Sequence, residues 1–435
     1  MARMVVIADD LTGAVECAAS SAALGCSAVV LLHSAENRES QTDWPDADIV
    51  SIDANTRCLP AEEASRLLAR LVHLCDARYS ASTRYVLFKK IDSTLRGNVA
   101  DELAALLHAR RSTKSANMKL CVLMAPAFPA QGRTTIGGRL FVHGVPLEET
   151  DIWQAEIRTA QSDIPQLLSE SGLSCSLIDI EIVRSNPASL HQALSQSAEQ
   201  ADVIVCDAVT DHDLLAIAKA SLTLPSLTAL AGSAGLAAQL TQAIGITPRN
   251  QPSEWHFSSG PTLFVVGTAA SITLEQTRIL QSTLDVATLH ATPADLLNSP
   301  ALQSQIIQDM KSGRDALLLV NGGEHCSNHQ EQLPQALSEL IPQCAPLLGG
   351  LVATGGETAR AVLDALGVQR LRVLGEVETG LPFSVADVWM RPLPVITKAG
   401  AFGSPQSLVR CHDFLRRHHA VASPPLKDPL LHYES

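Results

Sequence analysis

Two adjacent aspartates, Asp9 and Asp10, follow a short apolar run near the start of the chain. The run, residues 4–8, has the length and branched content of a buried parallel strand, and open α/β sheets bind ligands at the carboxyl ends of their strands. Two carboxylates there could hold Mg²⁺, accept a hydroxyl proton or hydrogen-bond a polyol. Thr12 and Gly13 predict a polar cap and a turn into a helix, and the alternative interpretation is that one aspartate only caps that helix.

A second polar cluster lies between an apolar run that ends near Phe88 and a helix predicted to begin near Asn98. Its members are Lys89, Lys90, Asp92, Ser93, Thr94, Arg96 and Asn98. Lysine and arginine bind carboxylates, arginine through its planar fork, while aspartate and asparagine can hydrogen-bond hydroxyl groups. This density favours a site for a small polar ligand. The alternative is a solvated loop followed by a capped helix.

Residues 125–150 form a third segment with polar side chains on a predicted loop or hairpin that covers the substrate. These side chains are Arg133, Thr134, Thr135 and His143. A lone histidine is more often structural than catalytic, so His143 is not assigned a role.

Four glycine-bearing turns follow strand-like runs in the second half of the chain: residues 265–271, 321–324, 353–362 and 398–405. Glycine lets the backbone approach a phosphate, and a helix N-terminus then offers N–H donors. Four such turns in one domain favour a nucleotide site.

Several common nucleotide motifs are absent from the sequence: the P-loop pattern, the G-x-G-x-x-G fingerprint after the first strand and the protein-kinase motifs. The C-x-x-C pattern of many metal sites is absent as well, and a divalent ion is expected to arrive with the nucleotide rather than in a dedicated site.

Composition limits the remaining classes of function. The 435 residues carry a net charge of −13, which makes duplex nucleic acid and anionic membranes poor partners. Ten cysteines without a C-x-x-C pair, no export signal and no run long enough to span a bilayer predict a cytoplasmic protein with reduced thiols.

Strand-like and helix-like stretches alternate along the chain, which predicts an α/β fold with mainly parallel sheets flanked by helices. The polar, proline-containing stretch 247–260 is the predicted domain boundary. We therefore expect an N-terminal domain over residues 1–248, a C-terminal domain over 260–422 and a tail over 423–435.

Five segments in order resemble the four-carbon acid sugar kinases: ADDLTGA, KKIDSTLRGN, APAFPAQGRTT with GVPLEET, the GGET turn and KAGAFG. Together they extend from residue 4 to about residue 409. The resemblance implies an N-terminal sugar-acid domain, a C-terminal nucleotide domain and an active site in the cleft between them. It also implies ATP as the phosphoryl donor, with Mg²⁺ bound to the nucleotide.

The resemblance also implies site residues. Catalytic roles fall on Asp9, Asp10, Asp92 and Arg96, and substrate contacts fall on Lys90, Ser93, Asn98 and Arg133. Nucleotide contacts fall on Thr268 or Ser271, on Gly355, Gly356, Glu357 and Thr358, and on Gly400. The KAGAFG segment departs from the family's usual KSG form, since Ala399 replaces the serine.

The implied reaction transfers the γ-phosphoryl group of ATP to the terminal hydroxyl of a four-carbon sugar acid. Arg96 and Lys90 would hold a carboxylate or the transferring phosphate, and Asp92, Asp9 or Asp10 would orient or deprotonate the hydroxyl. D-Threonate is the expected substrate, with D-erythronate and 3-oxo-tetronates as alternatives. An NAD-dependent sugar-acid oxidoreductase and a non-catalytic sugar-acid sensor are the more remote alternatives. A homodimer is the default expectation for assembly.

Overall fold

A computed structural model describes residues 4–33, 44–79, 85–113, 119–150, 162–246, 255, 257–268, 270–320 and 327–421. The chain divides into two compact units. Unit 1 contains Met1–Asn250 and Gln369–Gly375, and unit 2 contains Gln251–Val368 and Glu376–Ser435.

Unit 1 is built on a nine-stranded sheet in the order β16-β2-β3-β1-β4-β11-β5-β10-β9. Every neighbouring pair is parallel except β16 with β2, which is antiparallel. The strands are β1 (Met4–Ala8), β2 (Ala28–Leu32), β3 (Ile49–Asp53), β4 (Val86–Lys90), β5 (Cys121–Ala125), β9 (Cys175–Ile178), β10 (Val203–Cys206), β11 (Leu227–Gly232) and β16 (Arg370–Glu376).

The central strands of unit 1 are apolar on both faces, as the covering of a parallel sheet by helices requires. Side chains such as Val5, Ile7, Val50 and Ile52 form an aliphatic core. The helices of the unit are α1 (Leu11–Ala22), α2 (Ala61–Arg78), α3 (Val99–Thr113), α4 (Ile164–Glu170), α5 (Ile180–Val183), α6 (Pro187–Gln200), α7 (Asp211–Ser221) and α8 (Ala234–Ile244).

A separate three-stranded antiparallel sheet occupies the predicted loop or hairpin of unit 1. It consists of β6 (Arg133–Ile136), β7 (Arg139–Val142) and β8 (Val145–Pro146). Asp207, which follows β10, accepts hydrogen bonds from the backbone N–H groups of Gly137 and Gly138 at 2.7 and 2.9 Å. This carboxylate therefore fixes the β6–β7 turn to the main sheet.

Unit 2 contains a six-stranded sheet in the order β13-β14-β12-β15-β18-β17. The first five strands are parallel to their neighbours, and β17 is antiparallel to β18. The strands are β12 (Thr262–Val266), β13 (Val286–Ala291), β14 (Asp315–Val320), β15 (Gly350–Thr354), β17 (Pro382–Val388) and β18 (Arg391–Lys398). The helices are α9 (Ser271–Thr283), α10 (Pro293–Asn298), α11 (Pro300–Lys311), α12 (Ser327–Cys344), α13 (Gly356–Ala365) and α14 (Ser407–Val421).

The α/β class predicted from the sequence is confirmed, and three details differ from expectation. Asp10, not Thr12, is the N-cap of α1, and Thr12 and Gly13 lie inside that helix. Strands β16 and β17 run antiparallel to a neighbour, and the segment around β16, assigned by the sequence to the second domain, belongs mostly to unit 1. The turn at 321–324 and the tail at 423–435 lie outside the described residues. Among the helices described, none is both long and apolar enough to cross a membrane.

Candidate active site

The first two polar clusters of the sequence meet because β1 lies between β3 and β4. Ala8, the last residue of β1, pairs with Asp53 at the end of β3 and with Lys90 at the end of β4. The carboxyl ends of the three strands are therefore in register, and the segments that follow them share one edge of the sheet. Open parallel sheets place their ligands at this edge.

Arg57, in the loop after β3, joins the two clusters. Its Nε donates to Asp9 Oδ2 at 2.7 Å and its Nη1 donates to Asp10 Oδ2 at 2.6 Å. Its Nη2 lies 3.7 Å from Asp92 Oδ1. Sequence reasoning missed Arg57, although the polar run DANTR, residues 53–57, directly follows a strand-like apolar run.

The charges of this cluster compensate one another. Burial by itself raises the pKa of Asp9, but Arg57, Lys89 and Lys90 together hold that pKa below its usual value. The pKa of Asp92 is well below its usual range, because Arg96 and Arg57 outweigh the cost of burial. Both carboxylates are therefore stabilised in their charged form.

Asp10 has the capping role of the alternative interpretation, while its role towards a ligand stays a prediction. Its Oδ1 accepts from the backbone N–H of Gly13 at 2.8 Å and so caps α1, while its other oxygen pairs with Arg57. Asp9 keeps one buried oxygen, Oδ1, for which the described residues supply no hydrogen-bond partner.

Asp92 and Arg96 form a bidentate pair. Arg96 Nε donates to Asp92 Oδ2 at 2.8 Å and Nη2 donates to Oδ1 at 2.9 Å, and the Thr94 hydroxyl also donates to Oδ2. The Arg96 side chain is 37% exposed. Ser93 is half-buried in the same loop.

Asn98 and a buried ion pair support the Arg57 loop from behind. Both amide N–H donors of Asn98 are used on the backbone carbonyls of Thr56 and Leu59, at 3.1 and 2.9 Å. The Thr56 hydroxyl donates to Glu102, whose other oxygen lies 3.0 Å from Lys89 Nζ. Thus Asn98 is placed near the cluster, but its amide nitrogen is committed to holding the loop.

Lys90 extends over α1. Its Nζ donates to the carbonyl of Ile91 at 2.9 Å, and a Cβ atom on Gly13 would lie only 2.7 Å from that nitrogen. Glycine at position 13 is what allows the ammonium group to approach the helix. Nearby carboxylates raise the pKa of Lys90 despite its burial, so the group stays charged.

Arg133, at the start of β6, faces the same cluster from the small sheet. Burial lowers its pKa, while the charges of Asp92 and Glu16 act in the opposite direction, which places those carboxylates nearby. Within the described part of the chain its buried Nε has no hydrogen-bond partner. Arg133 thus supplies an uncommitted guanidinium group, in contrast to Arg57 and Arg96.

Three of the four predicted glycine turns converge in unit 2. They follow β12, β15 and β18, which are adjacent and parallel. Gly267 N donates to the Thr354 carbonyl at 3.1 Å, and Gly355 N donates to the Lys398 carbonyl at 2.9 Å.

Two glycine positions in these turns leave no room for a side chain. A Cβ on Gly267 would overlap the Thr358 hydroxyl, and a Cβ on Gly400 would overlap the Thr268 hydroxyl. Gly355 has a φ of 98°, a conformation that glycine adopts readily. Because α13 begins immediately afterwards, its first N–H groups point towards this edge.

The sequence left open whether Thr268 or Ser271 is the nucleotide contact. Thr268, in the turn after β12, lies against Gly400 in the turn after β18. Ser271 is instead the exposed first residue of α9. Glu357 is exposed in the first turn of α13, and Thr358 is buried beside Gly267.

Lys398 organises the last turn. Its Nζ donates to Thr273 Oγ1 at 2.9 Å and to the carbonyls of Ala399, Gly400 and Phe402 at 3.0, 3.3 and 3.0 Å. Burial lowers the pKa of Lys398 to about 8. The ammonium group thus gathers the KAGAF backbone, and the absent serine at position 399 is not needed for that purpose.

This glycine-lined edge suits a nucleotide phosphate, which needs close backbone approach and N–H donors.

In the residues that the structure describes, no group of three or more histidine, cysteine, aspartate or glutamate side chains could hold a metal ion.

Comparison with known proteins assigns these two sites to two known domains. Residues 4–240 match the model of a sugar-binding N-terminal domain, and residues 263–408 match that of a nucleotide-binding C-terminal domain. The chain is 37% identical to a D-threonate kinase of Cupriavidus necator, over 93% of this chain and 96% of that protein. It is 32% identical to a D-threonate kinase of Salmonella typhimurium, with the same coverage of both chains.

A solved structure of a Haemophilus influenzae protein shares the fold, with a TM-score of 0.71 and 19% identity over 94% of this chain and all of that one. The matches extend over both units and the relatives are covered almost end to end. The chain therefore belongs to the four-carbon acid sugar kinases, a family of ATP-dependent sugar-acid kinases.

Proposed function

We propose that this protein transfers the γ-phosphoryl group of ATP to the 4-hydroxyl of D-threonate, giving 4-phospho-D-threonate in sugar-acid catabolism. The observation that carries the proposal is that one chain contains both a cationic, carboxylate-rich cluster in its sugar-binding domain and a glycine cradle in its nucleotide-binding domain. The similarity to two D-threonate kinases supports the choice of acid.

The proposed role of each residue of the unit 1 cluster follows from the hydrogen bonds that its side chain already makes. Arg133, whose Nε has no protein partner in the described chain, and the buried ammonium of Lys90 would hold the substrate carboxylate. Arg96 donates to both carboxylate oxygens of Asp92, so its role would be to position Asp92 rather than to bind the acid by itself. Asp92, Asp9 or Asp10, with Ser93, would orient the substrate hydroxyls.

The nucleotide would bind at the three glycine turns. Gly355, Gly356 and Gly400 would admit the phosphates, and Thr268, Thr358 and the N–H groups of α13 would donate hydrogen bonds to them. Mg²⁺ would arrive on the triphosphate, where it neutralises charge during phosphoryl transfer.

A substrate panel tests this function. Purified protein with ATP and Mg²⁺ is assayed for ADP release with D-threonate, D-erythronate and 3-oxo-tetronates. D-Threonate should give the highest kcat/KM, by about tenfold or more, because a site built to pair each hydroxyl rejects an epimer. A higher kcat/KM with another four-carbon acid would identify that acid as the substrate and leave the proposed phosphoryl transfer unchanged. Binding without ADP release for every acid would favour a sensor, and no binding at all would refute the proposal.

A further inference from the structure

Glu16 lies in the acidic and basic cluster of unit 1 but has no role in the assignments above. It follows Asp10 and Gly13 at intervals of three residues, so all three share one face of α1. Gly13 has no side chain, and Lys90 Nζ approaches the helix at that point. The ammonium group therefore lies over the stretch of helix between Asp10 and Glu16.

The hydrogen-bond partners of the four carboxylates distinguish Glu16 from the rest. Asp9, Asp10 and Asp92 each accept a guanidinium hydrogen bond, at 2.7, 2.6 and 2.8 Å. In the part of the chain that the structure describes, no hydrogen bond is made to the half-buried Glu16 carboxylate. A base must have an oxygen free to receive a proton from the substrate. Asp9 also keeps such an oxygen, but its carboxylate is held in the charged form by Arg57. Of these four carboxylates, only Glu16 accepts no guanidinium hydrogen bond within the described residues.

The surroundings of Glu16 place it at the substrate side of the cluster. The charged groups that act on it are Lys90 at the end of β4, Asp10 at the start of α1, Arg57 after β3 and Asp92 after β4. Arg133 on β6 also lies within its electrostatic reach. Lys90 and Arg133 are proposed to hold the carboxylate end of the acid. Because the acid has only four carbons, its terminal hydroxyl stays close enough to that end for the Glu16 carboxylate to reach it.

We propose that Glu16, rather than Asp9, Asp10 or Asp92, is the general base that accepts the proton of the acceptor hydroxyl. This inference rests on the proposed kinase function. The hydroxyl proton passes to a Glu16 carboxylate oxygen as the hydroxyl oxygen forms a bond to the γ-phosphorus of ATP. The bond from that phosphorus to the β–γ bridging oxygen breaks, and ADP leaves with the electron pair.

The directions of the pKa shifts agree with the choice of Glu16 over the aspartates. Burial raises the pKa of Glu16 to about 7, with Lys90 opposing the rise and Asp10 adding to it. A base works best when its pKa is near the operating pH. The pKa values of Asp9 and Asp92 are instead lowered, which makes them weak bases.

The test compares the full-length wild type with Glu16→Gln. The amide keeps the shape of the side chain but cannot take a proton. We expect kcat to fall by about 10²–10⁴-fold while KM for the acid changes by less than about threefold. In the wild type, activity should rise with pH through about 7, where Glu16 loses its proton, and the variant should lack this rise. Glu62→Gln, on the exposed face of α2, is the matched control and should behave as wild type.

Each outcome decides the matter. A Glu16→Gln enzyme with wild-type kcat, or with the same rise near pH 7, overturns the assignment while leaving the kinase function intact. If Glu16→Gln does not fold, Glu16→Asp takes its place. It should keep the rise with pH at a reduced kcat, and a wild-type kcat in that variant overturns the assignment as well. A wild type without turnover on any acid would remove the proposed function itself and with it this inference.

Discussion

Arg57 is the side chain that links the three carboxylates of the unit 1 cluster. Three carboxylates lie around its guanidinium group, and Asp9 and Asp10 each bind a different nitrogen of the planar fork. The carboxylates in turn raise the pKa of Arg57 well above its usual value, despite the cost of burial. Lysine offers one point charge in place of this fork, so it is not an equivalent residue here.

Replacement of Arg57 by Gln should therefore damage both activity and stability. Without the guanidinium group, Asp9, Asp10 and Asp92 repel one another and the anionic substrate. We expect kcat/KM to fall by at least about 100-fold and the free energy of unfolding to fall by about 2 kcal/mol, less than for a fully buried pair because Arg57 is 19% exposed. Steady-state kinetics and thermal unfolding measure the two effects.

Arg66→Gln provides the matched control, because Arg66 is 69% exposed on α2 and, among the described residues, pairs only with its helix neighbour Glu62. Its kinetics should remain within twofold of wild type. Arg57→Lys should give an intermediate rate. An Arg57→Gln enzyme as active as the Arg66→Gln enzyme would show that the bridge is not required.

The β6–β7 hairpin depends on a contact outside its own sheet. Asp207 accepts both N–H groups of the glycine pair at the hairpin turn, and Thr135 exchanges backbone hydrogen bonds with Ala208. Since Arg133 begins β6, these contacts also fix the position of its guanidinium group, which we propose binds the sugar acid. Burial raises the pKa of Asp207, while the two glycine N–H groups act against that rise.

Asp207→Asn tests this positioning role. The amide can accept one of the two N–H groups but presents its own NH₂ to the other. We expect KM for the sugar acid to rise about tenfold, KM for ATP to stay within twofold and the free energy of unfolding to drop by about 1–2 kcal/mol. Asp211→Asn, at the exposed start of α7, should leave both KM values unchanged. Equal KM values in wild type and Asp207→Asn would contradict the role.

Helix α14 is joined to the opposite end of the unit 2 sheet by ionic contacts. Asp315, the first residue of β14, accepts from His412 at 3.0 Å and from Arg416 at 2.8 and 2.9 Å. The hydrogen bond to Asp315 raises the pKa of His412 above 6.5, and the pKa of Asp315 is lowered by the same partners despite burial.

This pair predicts how stability depends on pH. A pKa that is higher in the folded than in the unfolded state contributes stability that is complete below pH 6.5 and is lost as pH rises through the folded pKa. His412→Gln should therefore destabilise the protein by about 1 kcal/mol at pH 6 and by much less at pH 9. Thermal unfolding of both proteins at the two pH values measures this, and a difference that does not shrink with pH would refute it.

Sequence reasoning predicted which strand ends carry the candidate site residues better than it described the partners of those residues. The acidic pair, the segment 89–98 and the glycine turns could be found because each follows an apolar run, and parallel strands end at a common edge. The role of Arg57 depends on β1 lying between β3 and β4, a long-range property that no local pattern encodes. The antiparallel direction of β16 and β17 was missed for the same reason, since an apolar run predicts a strand but not its direction.

The two-part organisation of the chain means that each substrate is recognised by its own unit. The proposed acid ligands, Lys90 and Arg133, belong to unit 1, and the glycine cradle belongs to unit 2. Binding of one ligand in the absence of the other should therefore respond only to changes in the corresponding unit, because changes at sites that share no residues usually act additively.

Two variants and their combination test this independence. Arg133→Ala should weaken binding of the acid by about 10–100-fold and leave the Kd for ATP within twofold, since a charge-assisted hydrogen bond is lost only on the acid side. Gly267→Ala should weaken ATP binding by a comparable factor, because the new methyl group displaces Thr358, and leave the Kd for the acid unchanged. Isothermal titration of each ligand alone gives the four Kd values of the two variants. For each ligand, the factor by which the double variant changes Kd should equal the product of the factors found for the two single variants. A change of more than about fivefold in the Kd of the other ligand would mean that the units are coupled before both ligands are bound.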